Sequence, residues 1–96
     1  MITHIVFFKL KECTPEAVAA ARDMLLGMDG KVPTLRHLEV GVDVVRSERS
    51  YDLALVTKFD SMQDLQAYQV DPHHGGVVAP YMRSVSSAVA AVDYES

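Results

Sequence analysis

The sequence predicts a small α+β domain whose elements run β-α-β-β-α-β, and three observations carry that prediction. Ile2 to Lys11 is β-branched and aromatic, nearly apolar on both faces through Phe8. Thr14-Pro15-Glu16 then opens an apolar stripe of helical period. Further on, the polar loop Arg46 to Ser50 separates two strand-like runs that can close as a hairpin. At 96 residues the chain is read as one domain spanning 1–96, without internal repeat, low-complexity tract or linker.

Each element follows from its residues. A first strand with two apolar faces suits a sheet covered on both sides. Thr14 supplies a capping hydroxyl, Pro15 a preset φ at the first helical position and Glu16 an acid in the first turn. Val18, Ala21, Leu25 and Met28 form the stripe, widened by Ala17 and Met24, and Asp29-Gly30 is the expected stop. Leu35 to Val45 alternates, with Leu38, Val40, Val42 and Val44 on one face and His37, Glu39, Gly41 and Asp43 on the other. Tyr51 to Phe59 is the third strand. Ser61-Met62-Gln63-Asp64 resembles a capping box, and the helix it opens carries Leu65 and Tyr68 and ends near Asp71-Pro72. His73 to about Arg83, with Pro80, reads as a short or broken helix, and Val85 to Tyr94 as the last strand.

This order is the split-βαβ, ferredoxin-like pattern with a four-stranded antiparallel sheet. Two helices cover one face of such a sheet. Ile5 and Phe7 have opposite parity to Ile2, His4, Val6 and Phe8, so one set meets the helices and the other needs a second cover. A homodimer through the sheet face, two sheets closing a dimeric α+β barrel, is the economical expectation. Small size points the same way, because a short chain buries a modest share of its surface alone.

Composition narrows the function classes. A formal net charge of −4 and no Lys/Arg cluster argue against nucleic acid. The single Cys13 excludes an intrachain disulfide and is read as structural. No apolar run approaches the ~20 residues of a membrane span, and no secretory signal pattern opens the chain, so a cytoplasmic location without membrane association is expected.

Four stretches in sequence order carry a family resemblance: His4-Ile5-Val6-Phe7-Phe8-Lys9-Leu10-Lys11, Pro33 to Gly41 (P-T-L-R-H-L-E-V-G), Tyr51 to Phe59, and Leu65-Gln66-Ala67-Tyr68 running into Asp71-Pro72-His73-His74. With the terminal Val92-Asp93-Tyr94-Glu95, the chain resembles the stress-responsive dimeric α/β-barrel family over nearly its whole length. The resemblance implies a ferredoxin-like protomer and a homodimer with facing sheets. It implies no single activity, since the family joins stress-linked plant proteins and bacterial members of unassigned role to a plant polyketide cyclase, olivetolic acid cyclase.

By position, His74, Tyr68 and His4 look like the cyclase's general base, its carbonyl-binding phenol and its supporting first-strand histidine. Asp71 stands where the family commonly places histidine. The chemistry is coherent: proton removal beside a carbonyl needs a base of near-neutral pKa and a donor for the developing enolate. The same residues also read as a hydrogen-bonded core histidine, a core aromatic and a helix brace. Three functions are carried forward: a dimer binding a small apolar or carbonyl-bearing molecule between sheet and helices, a cyclase- or isomerase-like enzyme, and a structural stress-protective dimer. Asp71, His73 and His74 could offer metal donors, but adjacent histidines splay apart and no HxxxH or CxxC spacing is present. No metal and no cofactor is expected.

Overall fold

A computed structural model describes residues 1–96. The elements are β1 (Ile2–Leu10), α1 (Pro15–Leu26), β2 (His37–Val42), β3 (Leu53–Phe59), α2 (Met62–Gln69), a π-helical turn (His74–Val78), α3 (Ala79–Val85) and β4 (Ser86–Glu95). The four strands form one antiparallel sheet in the order β2-β3-β1-β4. The fold is ferredoxin-like α+β, with its helices packed on one face.

Strand alternation sorts β1, apart from Thr3, which is buried on the opposite parity and donates to Ser96 Oγ at 2.8 Å. Ile2, His4, Val6, Phe8 and Leu10 are buried toward the helices, as are Leu53, Leu55, Thr57 and Phe59 of β3. Against them pack Ala21, Leu25 and Met28 from α1 and its following turn, Leu65 and Tyr68 from α2, and Val78 and Met82 beyond. On the other face Ile5 and Phe7 stay half-buried, Val92 and Tyr94 are exposed, and no helix covers them.

The element boundaries depart from the sequence reading in four places. Helix α1 ends at Leu26 rather than at Asp29-Gly30. Its tail tightens into three-residue turns (Met28 N–H to Leu25 O, 3.2 Å; Asp29 N–H to Leu26 O, 3.1 Å), and the left-handed Gly30 (φ +73°) closes this extension. Strand β2 is shorter than Leu35–Val45, because Asp43 leaves the ladder: its Oδ2 accepts Arg46 N–H at 2.7 Å, and Val44 and Val45 point into solvent. Strand β3 starts at Leu53, since Asp52 is spent on anchoring. Val85 ends α3, and β4 begins after it with a bulge opposite Lys9 and Leu10.

Asp52 ties the hairpin to the sheet. Its side chain is almost fully buried; Oδ2 accepts Leu10 N–H at 2.7 Å and Oδ1 pairs with Arg46 at 2.9 Å. The Arg46 guanidinium also reaches Cys13 Sγ at 3.0 Å. Burial alone would raise the Asp52 pKa, but the Leu10 amide, the Cys13 thiol and the Arg46 guanidinium together bring it below the ordinary value.

The predicted broken helix is a π-helical turn continued by α3. Ala79 N–H bonds to His74 O across five residues, and Pro80, which has no N–H to donate, follows in the first turn of α3. Gly75 permits the close approach: a Cβ there would lie 3.0 Å from Gln69 O.

Candidate functional site

His4 sits in the centre of the sheet, between Thr57 of β3 and Asp93 of β4 in the ladder. Thr57 Oγ1 donates to the His4 carbonyl at 3.2 Å, and His4 Nδ1 is hydrogen-bonded to Asp93 Oδ1. A carboxylate only accepts, so Nδ1 carries the hydrogen of this bond. The sequence reading did not single out Asp93 for this role. Its signal was present, in the form of a lone acid between Val92 and Tyr94 that the strand register places beside His4.

Tyr68 comes from the buried face of α2 and has no exposed surface. Its ring packs on Phe59 (centroids 4.9 Å apart), stacks on His74 (3.9 Å, 27° between planes) and meets the edge of His4 (6.0 Å, 68°). Its hydroxyl donates to Met28 Sδ at 3.8 Å, a weak acceptor. Burial pushes the phenol pKa far up, so the group stays a donor.

His74 opens the π-helical turn, and Asp71 sets its position. The Asp71 Oδ1 accepts the N–H of His73 at 2.8 Å and of His74 at 3.4 Å, while its carbonyl accepts Gly75 N–H at 2.6 Å. Burial lowers the His74 pKa and the neighbouring His4 adds to the effect, while the Gln69 and Tyr68 carbonyls and the Asp71 carboxylate oppose it. His74 Nδ1 is buried without a hydrogen-bond partner. The imidazole is therefore held neutral in an apolar setting.

The three sequence-selected residues converge on one cavity of about 250 Å³ between the sheet and the helices. Its walls are mainly apolar, with Val6, Phe8, Leu25, Leu55 and Met82 among them. Arg83, which sequence reasoning did not single out, lines it as well. His73 takes no part in that lining, and no cluster of three or more His, Cys, Asp and Glu is arranged to hold a metal. A larger hollow of about 510 Å³ lies around Phe7, Gly41, Arg49 and Tyr51, away from the histidines. No helix is long and apolar enough to cross a membrane.

Comparison with solved structures returns the same fold. A dimeric ferredoxin-like protein of unknown function from Bacteroides fragilis is 26% identical, with a TM-score of 0.84, covering 99% of this chain and 95% of its own. A dimeric ferredoxin-like protein of unknown function from Thermobifida fusca is 25% identical, with a TM-score of 0.86 and coverages of 99% and 90%. A hydroxynitrile lyase from Passiflora edulis shares the fold at 15% identity, with a TM-score of 0.83 and coverages of 97% and 90%. Comparison with curated proteins returns no match. Residues 2–96 match the family model of the stress-responsive A/B barrel domain, and the chain belongs to that family.

Proposed function

We propose that the protein is a homodimer that binds a compact carbonyl-bearing molecule in each protomer's cavity. The observation that carries this reading is the shared cavity of about 250 Å³ lined by His4, Tyr68 and His74. A purely structural dimer predicts filled space at that point. An engineered apolar cavity of about 150 Å³ takes up benzene, so one ring or a short chain fits here.

A second reading is supported by the neutral, buried His74 stacked on a phenol. In it, His74 takes a proton from the carbon beside the bound carbonyl. Tyr68 exchanges Met28 Sδ for the carbonyl oxygen and donates to the developing enolate, while Asp93 fixes the tautomer of His4 alongside. A cyclase- or isomerase-type reaction follows from such a step. Because burial lowers the His74 pKa, the base stays competent below the ordinary histidine value of about 6.5.

The test is a thermal-shift screen of small ketones, aldehydes and β-dicarbonyl compounds against wild type and His74→Ala. Ligands specific for the native state raise Tm in proportion to occupancy. The expected result is at least one compound whose shift in wild type disappears in the variant. Binding that ignores residue 74 throughout would defeat the site assignment.

The dimer rests on the uncovered sheet face of Ile5, Phe7, Val92 and Tyr94 and on the dimeric relatives. Light scattering on a size-exclusion column should give twice the 10.6 kDa chain mass. Phe7→Lys, which places a charge on that face, should shift the protein to the monomer mass.

A further inference from the structure

Arg83 stands in the last turn of α3, on the wall of the His4–Tyr68–His74 cavity. Thirteen residues line that cavity, ten of them hydrophobic, and the other three are His4, His74 and Arg83. His4 is already hydrogen-bonded to Asp93, and His74 is neutral in its apolar setting. Arg83 thus supplies the one fixed charge of the lining. Its guanidinium enters no ion pair and no side-chain hydrogen bond, a state it shares with Arg49, whereas Arg22, Arg36 and Arg46 pair with carboxylates.

We infer that Arg83 is the specificity-determining residue of this cavity and selects a compact carbonyl compound that also bears a carboxylate. The inference rests on the binding site proposed above and names the substrate class it accepts. The planar guanidinium fork matches a carboxylate with two parallel hydrogen bonds, a fit that an ammonium does not offer. One cation balances one negative charge, so a monoanion suits the site better than a phosphate dianion, whose second charge finds no further Lys or Arg partner in the lining. At about 250 Å³ the cavity falls below the ~300–1,000 Å³ of drug-sized sites. The acceptable body is one aromatic ring or a short aliphatic chain, set against Val6, Phe8 and Leu55 while its charged end meets Arg83. Arg83 itself is exposed, so it keeps its water until the ligand arrives and acts at the cavity mouth.

NMR titration followed on the ring resonances of His4 and His74 reads binding at this site alone. The probes are benzoate, its neutral isostere benzamide, and phenyl phosphate, each with wild type, Arg83→Gln and Arg83→Lys. Benzoate should bind wild type about fivefold to tenfold more tightly than benzamide, the size expected of a partly screened charge-assisted pair. Arg83→Gln should abolish that preference and leave benzamide unchanged, while Arg83→Lys should restore part of it. Equal affinities for benzoate and benzamide in wild type, or a benzoate preference that survives Arg83→Gln, would overturn the inference while leaving the cavity as a binding site. Tighter binding of phenyl phosphate than of benzoate would overturn the carboxylate assignment. If none of the three probes moves either histidine, both the inference and the binding site fall together.

Discussion

Tyr68→Ala should cost about 4 kcal/mol of folding stability, within the ~3–5 kcal/mol range for removing a large buried aromatic. The ring has no exposed surface and touches elements from three parts of the chain: Phe59 on β3, His74 on the π-helical turn and Met28 after α1. For a domain of this size each kcal/mol moves Tm by ~4–8 °C, so the variant should melt roughly 15–30 °C lower. Tyr68→Phe is expected to behave otherwise. The hydroxyl it removes is bonded to a thioether, so the change should stay within about 1 kcal/mol in urea denaturation. That contrast separates the two roles of the residue. If the phenol holds a developing enolate, Tyr68→Phe should lose on the order of 10²-fold in turnover of any accepted substrate at nearly full stability.

Asp52→Ala should destabilise the chain by about 2–3 kcal/mol, through loss of the Leu10 N–H acceptor and of the Arg46 partner at the root of the hairpin. The fully buried limit for a broken ion pair is higher, but Arg46 is half exposed and solvent screens it. The pH dependence has a definite sign. Burial opposes ionisation of Asp52, yet its partners prevail and the folded pKa lies below the ordinary value. The ion pair therefore contributes fully above the unfolded carboxylate pKa of about 3.9 and is lost as pH falls through the lower folded value. Urea denaturation of wild type and Asp52→Ala should give a stability gap that is constant from pH 7 to about 5 and narrows under stronger acid. Asp52→Asn, which keeps an acceptor for Leu10 N–H, should fall between the two.

The fold was legible because its signals are local. Period-2 and period-3.6 patterns, the Thr14-Pro15 and Ser61 caps and the apolar β1 are written in neighbouring residues, and Thr14 and Ser61 each accept the helical N–H three residues on. The boundaries that shifted are those decided by distant partners. Val42 and Val44 continue the same alternation, yet Asp43 closes a turn with Arg46 and ends the strand between them. His4, Tyr68 and His74 were visible as chemistry-bearing types at telling positions, and the structure brings all three to one cavity. Asp93 and Arg83 were not singled out because their meaning depends on register and helix rotation. Asp93 is one acid in an exposed strand until β4 aligns beside β1, and Arg83 is one basic residue until α3 turns it to the cavity.

The pleat of β1 has a consequence for how this protein would respond to load. His4 points into the cavity, and Ile5, the next residue along, points to the face proposed for the second copy. A single layer of backbone is all that separates the two. Occupancy of the cavity and association of the chains would then draw on the same strand, and any preference of one for a particular twist of β1 must be repaid equally by the other. The molecule would weigh ligand against partner through one peptide unit.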